Sequence, residues 1–204
     1  MPKEAKHKQQ QMMRARIAVA AARIMAEDGI DDFALAKRKA ARQLGAEDTQ
    51  ALPKNDEVEL ELRTYQSLYQ GKEQRERIRY LRGRALEAML LLEGFRPYLS
   101  GPVLTGTAGR YSDIDLQLFT DDNKAVELFL LSHAIAYEVS LQRHFAGDRE
   151  RPISVLKFDW EDVVLNVAVY GINDERSTLK TTLAGKPMDR ASINSLTELL
   201  ANDA

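Results

Sequence analysis

The stretch Leu104-Thr-Gly-Thr-Ala-Gly-Arg-Tyr-Ser-Asp-Ile-Asp-Leu-Gln-Leu-Phe119 decides how the rest of the chain reads. An apolar run ends at Gly106-Thr107, a short polar turn follows, and a second apolar run carries Asp113 and Asp115. Residues i and i+2 of a strand project to one face, so the two carboxylates are expected to stand side by side. At about 4 Å and an effective dielectric of roughly 20 they would repel by about 4 kcal/mol. Such a pair needs a cation between them, a retained proton, or water. Hard divalent cations such as Mg²⁺ take oxygen ligands from one or two carboxylates together with substrate phosphates. The segment therefore predicts a metal-and-phosphate site with Asp113 and Asp115 as metal ligands. Plainer readings stay open beside it. Ser112 and Asp113 can cap a turn, Asp115 can pair with Arg110 or Lys157, and Gly106 and Gly109 can supply positive φ for a tight hairpin.

The Gly-Thr turn followed by Ser112-Asp-Ile-Asp-Leu116 resembles the nucleotidyltransferase superfamily, which includes DNA polymerase β, antibiotic nucleotidyltransferases and minimal bacterial nucleotidyltransferases. The resemblance covers residues 78–171. It implies a nucleoside triphosphate gripped at Gly106 and Thr107, with Ser112 and Arg110 beside it, and Mg²⁺ held by Asp113 and Asp115. It also implies a third carboxylate on a later strand, which activates the attacking hydroxyl. The strand Val163-Val-Leu-Asn-Val-Ala-Val-Tyr170 matches that later strand and puts Asn166 where an Asp is expected, so the catalytic set is Asp113, Asp115 and Asn166. An amide ligates a cation through its carbonyl but cannot act as a general base near neutral pH. Asp159 substitutes if the register differs. Thr107 precedes Asp113 by six residues, a shorter link than the helical turn the family places there. An incomplete metal site is expected from both departures, with weak divalent binding and little or no nucleotide transfer.

At 204 residues the chain can hold one compact domain, or one with a helical appendage. A formal net charge of −2 gives no global attraction to polyanions. The lack of cysteine excludes disulfides and thiolate zinc sites. With no long apolar stretch and no hydrophobic signal core, a cytoplasmic protein without membrane contact is expected.

The pattern changes near residue 72. Before it, helical spacing predicts helices around residues 17–25 and 33–44 and a third opened by Pro53 and Asn55 and running to 69, with Gly71 as a cap. A fourth helix, 72–92, is expected to bury Ile78, Leu81, Ala85, Met89 and Leu92, and to carry Arg75, Arg77, Arg79, Arg82 and Arg84 on its other faces. Beyond it, strands are expected at 103–104, 114–119, 137–143, 153–158 and 163–170, with helices at 125–136 and from Ser192 to 200. The expected architecture is α+β: an N-terminal helical region over 1–71, then over 72–204 a nucleotidyltransferase-like domain with a small mixed sheet.

Two other function classes remain. One is a non-catalytic nucleotide-binding or interaction protein, which can dimerise through its N-terminal helices. The other is a nucleic-acid-associated regulator, because Arg16-Ile-Ala-Val-Ala-Ala-Ala-Arg-Ile-Met-Ala-Glu-Asp-Gly29 resembles the first helix of TetR-type repressors. The following segment carries Lys37, Arg38, Lys39 and Arg42, which suit a phosphate backbone. Ala46-Glu-Asp-Thr-Gln-Ala-Leu-Pro53 then supplies acids and a proline where a recognition helix should lie.

Overall fold

The computed structural model describes residues 2–30, 32–47, 49, 51–69, 71–109, 111–181 and 185–202. The chain forms two compact units: Met1–Glu76 with Gly106–Ser112, and Arg77–Thr105 with Asp113–Ala204.

The first unit is built from α1 (Pro2–Asp28), α2 (Phe33–Gln43) and α3 (Asn55–Tyr69). Its core is rich in small residues, with Ala18, Ala21, Ala22, Ala36, Ala40 and Ala41 buried beside Ile17, Ile24, Met25, Val58 and Leu62. Alanine costs no side-chain entropy and adds little bulk between helices. Asp32 caps α2 by accepting from the Ala34 amide at 2.7 Å and the Leu35 amide at 3.1 Å. Arg14 on α1 donates through Nε to Glu57 of α3 at 2.8 Å, and Glu57 also accepts from the Lys54 amide. That guanidinium holds the Glu57 carboxyl below its usual range.

Three of the four basic side chains of α2 are engaged inside this unit. Lys37 donates to Asn55 at 2.7 Å, Lys39 pairs with Asp28 at 2.6 Å, and Arg42 pairs with Glu47 at 3.5 Å. Among the described residues, no helix lies between Gln43 and Asn55. Gly71, expected to cap α3, is instead the first residue of α4 (Gly71–Leu91).

The second unit carries β1 (Tyr98–Ser100), α5 (Gly101–Thr105), β2 (Ile114–Phe119), α6 (Asn123–Ser132), β3 (Glu138–Ala146) and β4 (Arg149–Trp160). It continues with β5 (Val163–Tyr170), β6 (Leu179–Lys180), β7 (Arg190–Ala191) and α7 (Ile193–Asn202). The strands form one sheet in the order β6-β3-β4-β5-β2-β1-β7. β2 and β5 run parallel, from Ile114 opposite Leu165 to Phe119 opposite Tyr170, and every other pair is antiparallel. The fold is α+β with a mixed sheet.

On one face of the sheet, Ile114, Leu116, Leu118, Leu156, Phe158, Leu165 and Val167 are buried. The expected inward face of α4 is also buried, at Ile78, Leu81, Ala85 and Met89. Leu92, one residue beyond the helix, is buried too. The opposite face holds a smaller cluster of Phe119, Ile153, Val155, Tyr170 and Leu179.

Two expectations fail for identifiable reasons. Residues 103–104 are helical, and the strand lies earlier at Tyr98–Ser100. Gly101, at φ +69°, ends the strand in a left-handed conformation, and Pro102 suits the first turn of the helix that follows. Arg82, expected on a face of α4 away from its buried stripe, is 7% exposed. Its guanidinium turns inward, Nη2 donating to the Leu104 carbonyl at 2.8 Å and Nε to the Val103 carbonyl at 3.2 Å. The last carbonyls of a helix lack partners within it, and a buried cation satisfies them here.

His144 on β3 is buried and hydrogen-bonds Tyr170 on β5, with 2.5 Å between Nδ1 and the hydroxyl. Neutral imidazole accepting at Nδ1 leaves Nε2–H to donate to the Gln142 side chain at 3.2 Å. Burial pushes this imidazole below its usual value. The unfolded chain then binds the proton more readily as pH falls below about 6.5. The contribution of His144 to stability is thus complete above that pH and lost as pH drops through the lowered folded value. Urea midpoints should fall between about pH 7 and about pH 5, and His144→Gln should flatten that dependence.

Candidate functional site

Period-2 alternation places Asp115 on β2 between the buried Ile114 and Leu116, with its side chain on the opposite face. Asp113 precedes the strand by one residue. Asn166 lies in register with Asp115 across the parallel β2–β5 pair. Its amide bridges both carboxylates, Nδ2 donating to Asp113 Oδ2 at 3.2 Å and to Asp115 Oδ1 at 3.3 Å. The reverse amide orientation would set a carbonyl dipole against two anions, so the bonding pattern fixes which end points inward. Asp113, Asp115 and Asn166 are therefore brought together.

Lys157 completes the cluster. It sits on β4 opposite Asn166, and its ammonium meets Asp113 Oδ2 at 2.9 Å. The carboxylate holds the Lys157 ammonium above its usual pKa. The side chains of Lys157 and Asp113 are 52% and 27% exposed, so water reaches the pair. Sequence reasoning named Lys157 as a partner for Asp115; the structure pairs it with Asp113.

These residues belong to a polar row across the sheet. Glu138, Lys157, Asn166, Asp115, Ser100 and Arg190 are successive register partners on β3, β4, β5, β2, β1 and β7. Directly opposed residues share a face, so acids, amide and bases alternate along one line. Ser100 donates to the Asp115 main-chain carbonyl at 3.3 Å. Asp159 lies two residues beyond Lys157 on β4. It lines a cavity of about 290 Å³ together with Tyr137, Glu138 and Lys157.

Gly101 gives the site its floor. A Cβ there would collide with the Asp115 carboxylate, lying 3.1 Å from its Cγ. The left-handed glycine and the acid thus occupy one space, which only a residue without a side chain permits. Ser100-Gly101 closes β1, and the helical turn α5 separates it from Asp113, which comes twelve residues after Gly101. Neither residue stood out in the sequence. The signal was present in Gly101-Pro102, a strand stop followed by a helix start.

The other residues read as phosphate-binding lie in the first unit. Gly106 follows α5 at φ +82°, and its carbonyl accepts from Gln74 at 3.4 Å. Thr107 is 6% exposed, and its carbonyl accepts from the Gln66 side chain at 3.3 Å. Ser112 Oγ accepts from the Gly109 amide at 2.7 Å, which makes it a turn-capping residue. Arg110 lies outside the described residues.

Two carboxylates and an amide are a meagre set for a hard cation. Among the described residues, no group of three or more His, Cys, Asp or Glu side chains is placed to hold a metal. Oxygen donors are of the right type for Mg²⁺, and rotating the Asn166 amide by about 180° would turn Oδ1 inward as a third. Among the described residues, no helix is long and apolar enough to cross a membrane. No family model, curated protein or solved structure matches this chain.

Proposed function

We propose that this chain is a nucleotidyltransferase-like protein whose carboxylate pair binds divalent cations weakly and which transfers nucleotide slowly or not at all. The observation that carries this reading is the convergence of Asp113 and Asp115 on one amide, Asn166, beside a strand-ending Gly101 that admits no side chain. A helical turn between Ser100-Gly101 and the acid pair supports it further, because that is the spacing the sequence resemblance lacked at Gly106-Thr107.

Asp113, Asp115 and the Asn166 carbonyl would hold Mg²⁺, which when bound supplies charge that neutralises a triphosphate. Gly101, lacking a side chain, leaves room for the Asp115 carboxylate itself. Asn166 orients both acids but takes no proton from an acceptor hydroxyl, so the step that needs a base is the one this site serves poorly. Losing one of three charges also removes much of the attraction that offsets Mg²⁺ dehydration.

Mn²⁺ titration followed by electron paramagnetic resonance tests this reading. The wild type should bind with a dissociation constant on the order of 10⁻⁴–10⁻³ M, and an Asp113→Ala, Asp115→Ala double variant should bind at least about tenfold more weakly. Transfer from an α-³²P-labelled nucleotide should be near background. Robust labelling abolished by Asp115→Asn would establish an active enzyme instead, and equal Mn²⁺ binding in wild type and double variant would remove the cation site altogether.

A further inference from the structure

We propose that the Lys157 ammonium is the built-in counter-cation of the Asp113–Asp115 pair, and that a divalent cation binds by displacing it. The proposal rests on reading that pair as a cation site. Asp113 uses the same oxygen, Oδ2, to accept from Lys157 at 2.9 Å and from Asn166 at 3.2 Å. A metal ion approaching that oxygen meets a positive charge already in place. Two cations cannot share one carboxylate oxygen at such distances without strong repulsion.

The ammonium is positioned by the fold. Lys157 lies opposite Asn166 in the β4–β5 register, and Glu138 lies opposite Lys157 in the β3–β4 register. Glu138 and Asp159 line the cavity that Lys157 also lines. A displaced ammonium therefore has two carboxylates within its neighbourhood to turn toward. Half of its side chain is solvent-exposed, 52%, so exchange needs no opening of the core. Exposed ion pairs of this kind are weak, which lets a metal compete while raising the concentration it must reach. Lys157 would thus set the cation threshold of the site.

Two measurements test this. Lys157→Gln removes the charge at an exposed position and should tighten Mn²⁺ binding about threefold to tenfold relative to wild type. In the wild type, saturating Mg²⁺ should speed acetylation of the Lys157 amine by a water-soluble acylating reagent, read by peptide mass spectrometry. In Asp113→Ala the amine should react fast with or without Mg²⁺. Wild-type Mn²⁺ binding that Lys157→Gln leaves unchanged or weakens would overturn the proposal while leaving the cation site standing. Lys157 acetylation unaltered at metal saturation would do the same. Absence of Mn²⁺ binding in both wild type and Lys157→Gln would overturn the proposal together with the cation site. Binding seen only in Lys157→Gln would uphold the acid pair as a cation site but overturn displacement of Lys157 in the wild type.

Discussion

Gly101→Ala should destabilise the sheet unit by about 2–4 kcal/mol, with two separable causes. The first is conformational: at φ +69° an alanine enters a region that L-residues disfavour by roughly 1–2 kcal/mol. The second is steric. The new methyl would occupy the space of the Asp115 carboxylate, forcing that side chain off its bond with Asn166. Urea denaturation of Gly101→Ala, Asp115→Ala and the double variant separates the two. Removing the acid should relieve the collision but not the backbone strain, so the double variant should be more stable than the sum of the single losses implies. Strict additivity would mean that glycine and acid do not share a space, and the account of Gly101 would fall.

A comparable loss, about 2–4 kcal/mol, is expected for Arg82→Met. Methionine keeps much of the aliphatic stem and fits the apolar stripe of α4, so volume is nearly preserved. It leaves the Val103 and Leu104 carbonyls without the guanidinium that bonds both. A buried acceptor stripped of its partner costs about 1–3 kcal/mol, and the favourable charge at the end of α5 is lost too. Arg82→Lys should recover part of the loss, since one ammonium cannot reproduce a two-pronged fork. Thermal unfolding of the three proteins measures the order: wild type, then Lys, then Met. Equal stability of Met and wild type would show that water serves those carbonyls.

Legibility in the sequence followed the strength of local signals. The strands carrying Asp115 and Asn166 are readable because apolar alternation runs through β2 over six positions and a valine-rich run through β5 over eight. Their parallel pairing then put the two side chains in register. Val103 and Leu104 misled because two apolar residues carry no period, and the deciding feature was the Gly-Pro pair just before them. Arg82 misled because a charged residue on an amphipathic helix is read as solvated, whereas its partners, the carbonyls of α5, lie outside the periodic pattern. The partner of Lys157 was half legible: a salt bridge was foreseen, but choosing between Asp113 and Asp115 depends on the register of β4 against β5. The apolar run before Gly106 and Thr107 suggests the end of a strand, but the chain reaches them only after α5.

The transverse polar row also bears on how this protein reaches its native state. Its members come from six strands spread between Ser100 and Arg190, and neighbours in the sheet are often distant in the chain. Contacts of that kind form slowly because loop closure precedes their reward. A slip of β2 by one residue would carry Asp115 into the layer of Ile114 and Leu116 and expose those side chains instead. Such a mis-registered pairing would bury a charge, which costs free energy. The same acid that faces Asn166 thus penalises a wrong register of β2.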